Sequence, residues 1–120
     1  MWLWLVGDQR LIGRWRSDLE KTTAEFAARN DISDERRSKL ASLFGRLELR
    51  YTRWRCYSTF DGTTNVARYR VLAKDADSVA VLSSRRDGFG GSIFHIHFDN
   101  GYYWITLGNG GVREFFRRVE

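Results

Sequence analysis

Two periodicities divide this chain. Between Asp18 and Phe44 the apolar residues recur at helical spacing, and from Leu47 onward they recur at every second position. A period near 3.6 marks a helix with one buried face, and a period of two marks a strand with one buried face. Leu19, Thr22, Thr23 and Phe26 share the face of a first helix, and Leu40, Leu43 and Phe44 that of a second. Ser17-Asp18-Leu19-Glu20 has the form of a capping box for the first, with Asn30 as its stop. Ser33, with Asp34 and Glu35 in the first turn, starts the second, and Gly45 ends it. Arg36, Arg37 and Lys39 lie off the apolar stripe and read as a solvated face.

Strands flank these helices. Residues 1–6 are apolar and predict a strand, turned by Gly7-Asp8 into a second over 11–16. After the helices, Leu47, Leu49 and Tyr51 alternate with Glu48, Arg50 and Thr52; the parity then breaks, since Trp54 and Cys56 fall on the polar side. A bulge near Thr52 would restore it and would leave the facing of Arg53 and Arg55 ambiguous. Asp61-Gly62 is a hairpin signal. Ala67, Tyr69, Val71 and Ala73 then oppose Arg68 and Arg70, and further strands follow over 78–84, 92–98, 102–107 and 112–119. In the second of these, Phe94, Ile96 and Phe98 form the inner face, against Ile93, His95 and His97. About eight short strands with a two-helix insertion over residues 18–44 predict a mainly β fold. An antiparallel meander closed into a barrel fits best, because closure leaves no unpaired edge.

Within the strand 11–16, Gly13 marks a bend or a close approach, and Trp15 two residues later is placed to plug one end of the barrel. Gly13-Arg14-Trp15 resembles the Gly-x-Trp of the calycins, the superfamily of lipocalins and fatty-acid-binding proteins. The arginine-bearing last strand, with Arg117 and Arg118, is similar to the one that packs over that tryptophan, and the helical pair resembles the lid of the fatty-acid-binding branch. Where that branch carries an Arg-x-Tyr pair, this chain has Arg113-Glu114-Phe115. The resemblance implies a single lipocalin-like domain over residues 1–120, with Gly13, Trp15, Arg117 and Arg118 as its structural signature. It also implies an internal site for a small apolar molecule.

Composition narrows the chemistry. Of 20 basic residues only Lys21, Lys39 and Lys74 are lysine, so the net charge of +5 is carried by arginine. Arginine suits phosphate and carboxylate recognition. An arginine turned into an apolar cavity would select a weakly acidic, amphipathic ligand, and the candidate contacts are Arg53, Arg55, Tyr69, Trp104 and Arg113. Arg50, Arg53, Arg55, Arg68 and Arg70, interleaved with Tyr51, Trp54 and Tyr57, offer the alternative of an interaction module for protein or nucleic acid. Pairing of these arginines with neighbouring acids is the plainer account, so nucleic acid is not the expected partner.

The single Cys56 excludes an internal disulfide and a thiolate metal cluster. Together with an N-terminal apolar run of six residues, too short for a signal peptide or a membrane span, it places the chain in the cytoplasm. His95-x-His97 lacks a third histidine to complete a zinc site. Gly-x-Ser-x-Gly is absent, and the glycines at 88–91 lead into a strand rather than a phosphate-cradling helix. The expectation is a binding protein, not an enzyme, without cofactor or metal; the oligomeric state is not legible.

Overall fold

A computed structural model describes residues 8–27, 33–42, 44–84, 91–107 and 112–119. Eight strands run in chain order around a closed antiparallel barrel: β1 (Gly13–Ser17), β2 (Leu47–Tyr51), β3 (Arg55–Phe60), β4 (Thr63–Lys74), β5 (Ser78–Ser84), β6 (Gly91–Asp99), β7 (Tyr102–Leu107) and β8 (Val112–Arg118). Strand β8 pairs back onto β1. Between β1 and β2 the chain forms α1 (Leu19–Ala27) and α2 (Asp34–Ala41). No helix among the described residues is long and apolar enough to cross a membrane.

The strands divide differently from the sequence pattern. The predicted strand over residues 1–6 lies outside the described residues. The break at Thr52 is a hairpin rather than a bulge, so β2 and β3 are separate strands with Tyr51 opposite Cys56. Thr52 closes that turn: its amide donates to the Arg55 carbonyl, and its hydroxyl accepts from the Arg55 amide. The parity change follows directly. Opposed residues share a face, so Leu47, Leu49 and Tyr51 carry the inner face across to Phe60, Ser58 and Cys56. Arg55 and Tyr57 are thereby turned outward.

The helix start is also displaced by one residue. Asp18, not Ser17, caps α1, its carboxylate accepting the Lys21 amide at 3.0 Å. Ser17 stays in β1 and turns inward, accepting the Gly45 amide at 2.9 Å and donating to Glu114 at 2.8 Å. Gly45, at φ +82°, lies against α1, and a Cβ there would stand 2.9 Å from that of Leu19. Ser33 caps α2 as expected, accepting the Arg36 amide. The side chains of Phe26 and Leu40, and the whole of Leu43, lie outside the described residues.

Helix α1 packs along the outer wall of β7 and β8 rather than across the barrel opening. Lys21 lies over the rings of Tyr102 and Phe115, and Glu25 pairs with Arg113. Thr22, fully buried, accepts the Phe115 amide at 2.9 Å where β1 has left the sheet. The helix thus satisfies a ladder donor that would otherwise be orphaned.

The core is the barrel interior. One end is filled: Trp15, 2% exposed, packs on Tyr103 with ring centres 5.4 Å apart and on Phe98 at 6.4 Å. The Trp15 indole donates to the Leu11 carbonyl at 2.9 Å, so the segment before β1 folds under the barrel. Gly13 makes that entry possible, because its φ of +135° is open only to glycine. Arg10 ties the segment down by an ion pair to Asp8 and by donating to the carbonyls of Asp75, Ala76 and Ser78 in the β4–β5 turn.

Candidate functional site: an internal cavity

Beyond this plug the side chains become smaller and the barrel is hollow. A cavity of about 210 Å³ is lined by Leu47, Leu49 and Tyr51 of β2, Cys56 and Ser58 of β3, and Ala67 and Tyr69 of β4. Val81 and Ser83 of β5, Phe94 of β6, Tyr103 and Ile105 of β7 and Phe116 of β8 also line it. The alternation of each strand explains the lining, since every second residue must point inward. Phe94 is inward by register yet 41% exposed, so it sits at the mouth.

The polar groups of this cavity are few and protonated. The hydroxyls of Tyr51 and Tyr103 lie 2.7 Å apart, and the Tyr69 hydroxyl donates to the Thr52 carbonyl. Burial raises the pKa of Tyr51 and Tyr103 and pushes that of Tyr69 up to about 12. Burial also raises the Cys56 thiol, against hydrogen bonds with Tyr51 and Ser58 that work the other way. Opposite the lining residue Ile105, the inward Glu114 is 7% exposed, and burial lifts its carboxyl above the usual range although Ser17 donates to it. Among the described residues no lysine or arginine lines the cavity.

Of the five expected ligand contacts the structure brings only Tyr69 to the cavity. Arg53 and Arg55 are exposed, in the β2–β3 turn and at the outward start of β3. Trp104 and Arg113 are on the outer wall: Trp104 stacks on His97 at 3.9 Å, and Arg113 lies over Trp104 at 4.8 Å while donating to Glu25 at 2.8 Å. The reason is register, for the inward residues of β7 and β8 are Tyr103, Ile105, Glu114 and Phe116. Of the expected signature, Arg118 lies with its guanidinium carbon 4.4 Å from the Trp15 ring centre, whereas Arg117 faces out opposite Arg16.

The sequence pattern missed Tyr51 and Tyr103 as a hydroxyl pair. Their only signal was a tyrosine on each of two strands that are far apart in the chain. His95 and His97 lie side by side outside the barrel, their rings tilted by 40° with centres 4.1 Å apart, and His95 Nε2 is 2.9 Å from the Ser78 hydroxyl. Among the described residues no group of three His, Cys, Asp or Glu is placed to hold a metal ion. No protein family, curated protein or solved structure matches this chain.

Proposed function

We propose that this barrel binds a small, uncharged, mostly apolar molecule carrying one hydrogen-bonding group. The observation that carries the reading is the cavity of about 210 Å³, apolar except for the Tyr51–Tyr103 hydroxyl pair, the Tyr69 hydroxyl held by the Thr52 carbonyl, Cys56 and small serines. An apolar cavity of about 150 Å³ already accepts benzene, so a single ring with a short substituent fits here and a long acyl chain does not. Each tyrosine hydroxyl keeps hydrogen-bonding capacity beyond the bond the pair makes with itself, which favours a ligand hydroxyl or carbonyl. A carboxylate is disfavoured, because among the described residues no cation lines the cavity, and the buried Glu114 stands opposite its lining residue Ile105. The acidic ligand suggested by the arginine count therefore gives way to a neutral one.

Binding rather than catalysis suits groups that burial holds protonated, since neither the Cys56 thiol nor the tyrosines are activated. The barrel order, the Trp15–Arg118 stack and the helices after β1 support a calycin-like reading. A free thiol at Cys56 suits a reducing, cytoplasmic setting. Calorimetric titration with phenol, toluene and benzoate tests the proposal. Phenol is expected to bind best and benzoate at least tenfold more weakly, with the advantage of phenol over toluene lost in Tyr51→Phe. Preferential binding of benzoate, or binding of none of the three, overturns it.

A further inference from the structure

We propose that the outer wall of β1–β4 binds single-stranded nucleic acid, with Arg50 and Arg68 holding phosphates and Tyr57 stacking a base. The register supplies the reason. Arg14 stands opposite Arg50, and Arg55 opposite Arg68, so like charges face each other directly across two strand pairs. Such pairs destabilise a sheet unless something of opposite charge lies over them. Among the described residues of this wall, the acids expected to neutralise these arginines reduce to one. Among the outward residues of β1–β4 the one acid is Glu48, and Arg14 holds it, donating at 2.9 Å. Arg16, Arg55, Arg68 and Arg70 are exposed and form no ion pair among the described residues.

The wall also offers something besides charge. Tyr57 faces outward with the Arg50 guanidinium 4.1 Å from its ring centre. Beside it is a depression of about 460 Å³ lined by Arg14, Glu48, Arg50, Tyr57, Thr59 and Thr64. The hydroxyls of Thr59 and Thr64, 2.8 Å apart, form part of its lining. A second ring, Trp54, is 55% exposed in the adjoining β2–β3 turn. A positive sheet surface with aromatic rings is the arrangement that stacks unpaired bases and tracks their backbone. Arginine forks suit phosphate oxygens better than lysine does. An acidic peptide would engage the charge and leave ring and depression unused. A lipid surface would need apolar groups to insert, and on this wall Val66 is the one outward aliphatic residue between Arg14 and Arg70. The site lies on the opposite face of the strands that line the cavity, so neither proposal depends on the other.

The test is fluorescence anisotropy of labelled twelve-nucleotide oligo-dT and oligo-U with the full chain, across a salt series. Arg50→Gln with Arg68→Gln is expected to weaken binding at least tenfold. It should also flatten the dependence of log K on log salt by about 1.4, at about 0.7 per lost phosphate contact. Tyr57→Ala should weaken binding at least fivefold with the salt slope unchanged, as loss of stacking requires. Arg36→Gln with Lys39→Gln, which removes equal charge from α2, should change neither quantity. All substituted side chains are partly or fully solvent-exposed, and unchanged urea midpoints would verify folding. Equal weakening by the α2 pair, or no effect of Tyr57→Ala, would leave only ion exchange and overturn the proposal. Tighter binding to vesicles containing phosphatidylserine than to either oligonucleotide would overturn it in favour of a membrane surface.

Discussion

The guanidinium of Arg118 rests on the Trp15 ring, 4.4 Å from its centre, and also donates to the carbonyls of Ile12 and Arg10. One side chain thus joins the last strand to the first and closes the segment that folds beneath them. Its cation–π contact and its two charge-assisted hydrogen bonds act together where the barrel seam closes. Arg118→Ala should cost about 1–2 kcal/mol in urea unfolding, the sum of modest terms at a partly exposed site. Trp15→Ala should cost about 3–5 kcal/mol, as removal of a large buried aromatic does. An Arg118→Ala protein with the parental midpoint would show that the backbone ladder alone holds the seam.

Thr22 tests the junction of helix and sheet. Its buried hydroxyl oxygen accepts the Phe115 amide at 2.9 Å. Thr22→Val keeps the shape and removes the acceptor, leaving a buried N–H unpaired at a cost of about 1–3 kcal/mol. Amide exchange at Phe115 should then accelerate well beyond that of its neighbours in β8. Unchanged protection of that amide would mean that another acceptor takes over.

Glu114 gives the stability a pH dependence of identifiable sign. Burial raises its pKa in the folded state above the ordinary value of 4.5. Between 4.5 and the raised folded value, the folded chain therefore binds more protons than the unfolded one, and this group's contribution to stability falls as pH rises. Glu114→Gln removes the penalty while its amide oxygen can still accept from Ser17. The variant should match the parent in urea at pH 4 and exceed it at pH 8. Greater stability of the parent at pH 8 would show the ionised carboxylate to be the favoured form.

The sequence displayed the turns and inner faces wherever backbone chemistry or alternation was strong. Asp61-Gly62 and Asn100-Gly101 take positive φ at both residues, as the hairpin signal requires. Phe94, Ile96 and Phe98 alternate with Ile93, His95 and His97, and with both histidines polar the phenylalanine face does turn inward. The Thr52 hairpin was hidden because a side chain closes it, without the glycine or asparagine that usually marks a tight turn. Trp104 was misplaced for another reason. Tyr102, Tyr103, Trp104 and Ile105 are all apolar, so no alternation reveals which pair points inward. On β8, the helix that covers Phe115 and pairs with Arg113 decides the outer face, and that contact spans 88 residues of chain.

Cys56 reports on the cavity from within. It is the one cysteine of the chain, it lines the cavity, and it stands opposite Ala67 in the register. Burial raises its pKa, so the thiolate needed for reaction is scarce at pH 8. Its exchange with the aryl disulfide 5,5′-dithiobis(2-nitrobenzoate), which releases thionitrobenzoate, should be at least tenfold slower in the folded protein than in urea. The rate should also rise toward a pH above the ordinary thiol value. Phenol at saturating concentration should slow it further. Ala67→Phe carries the argument to its end, because a ring placed across from Cys56 occupies the space the ligand would use. Filling a void costs little where there is room for the added atoms, so this variant should melt near the parent. It should nevertheless lose phenol binding and show the slowest thiol of the series. If its thiol instead reacts as fast as the parent's and phenol still protects it, the ligand lies somewhere other than the barrel interior.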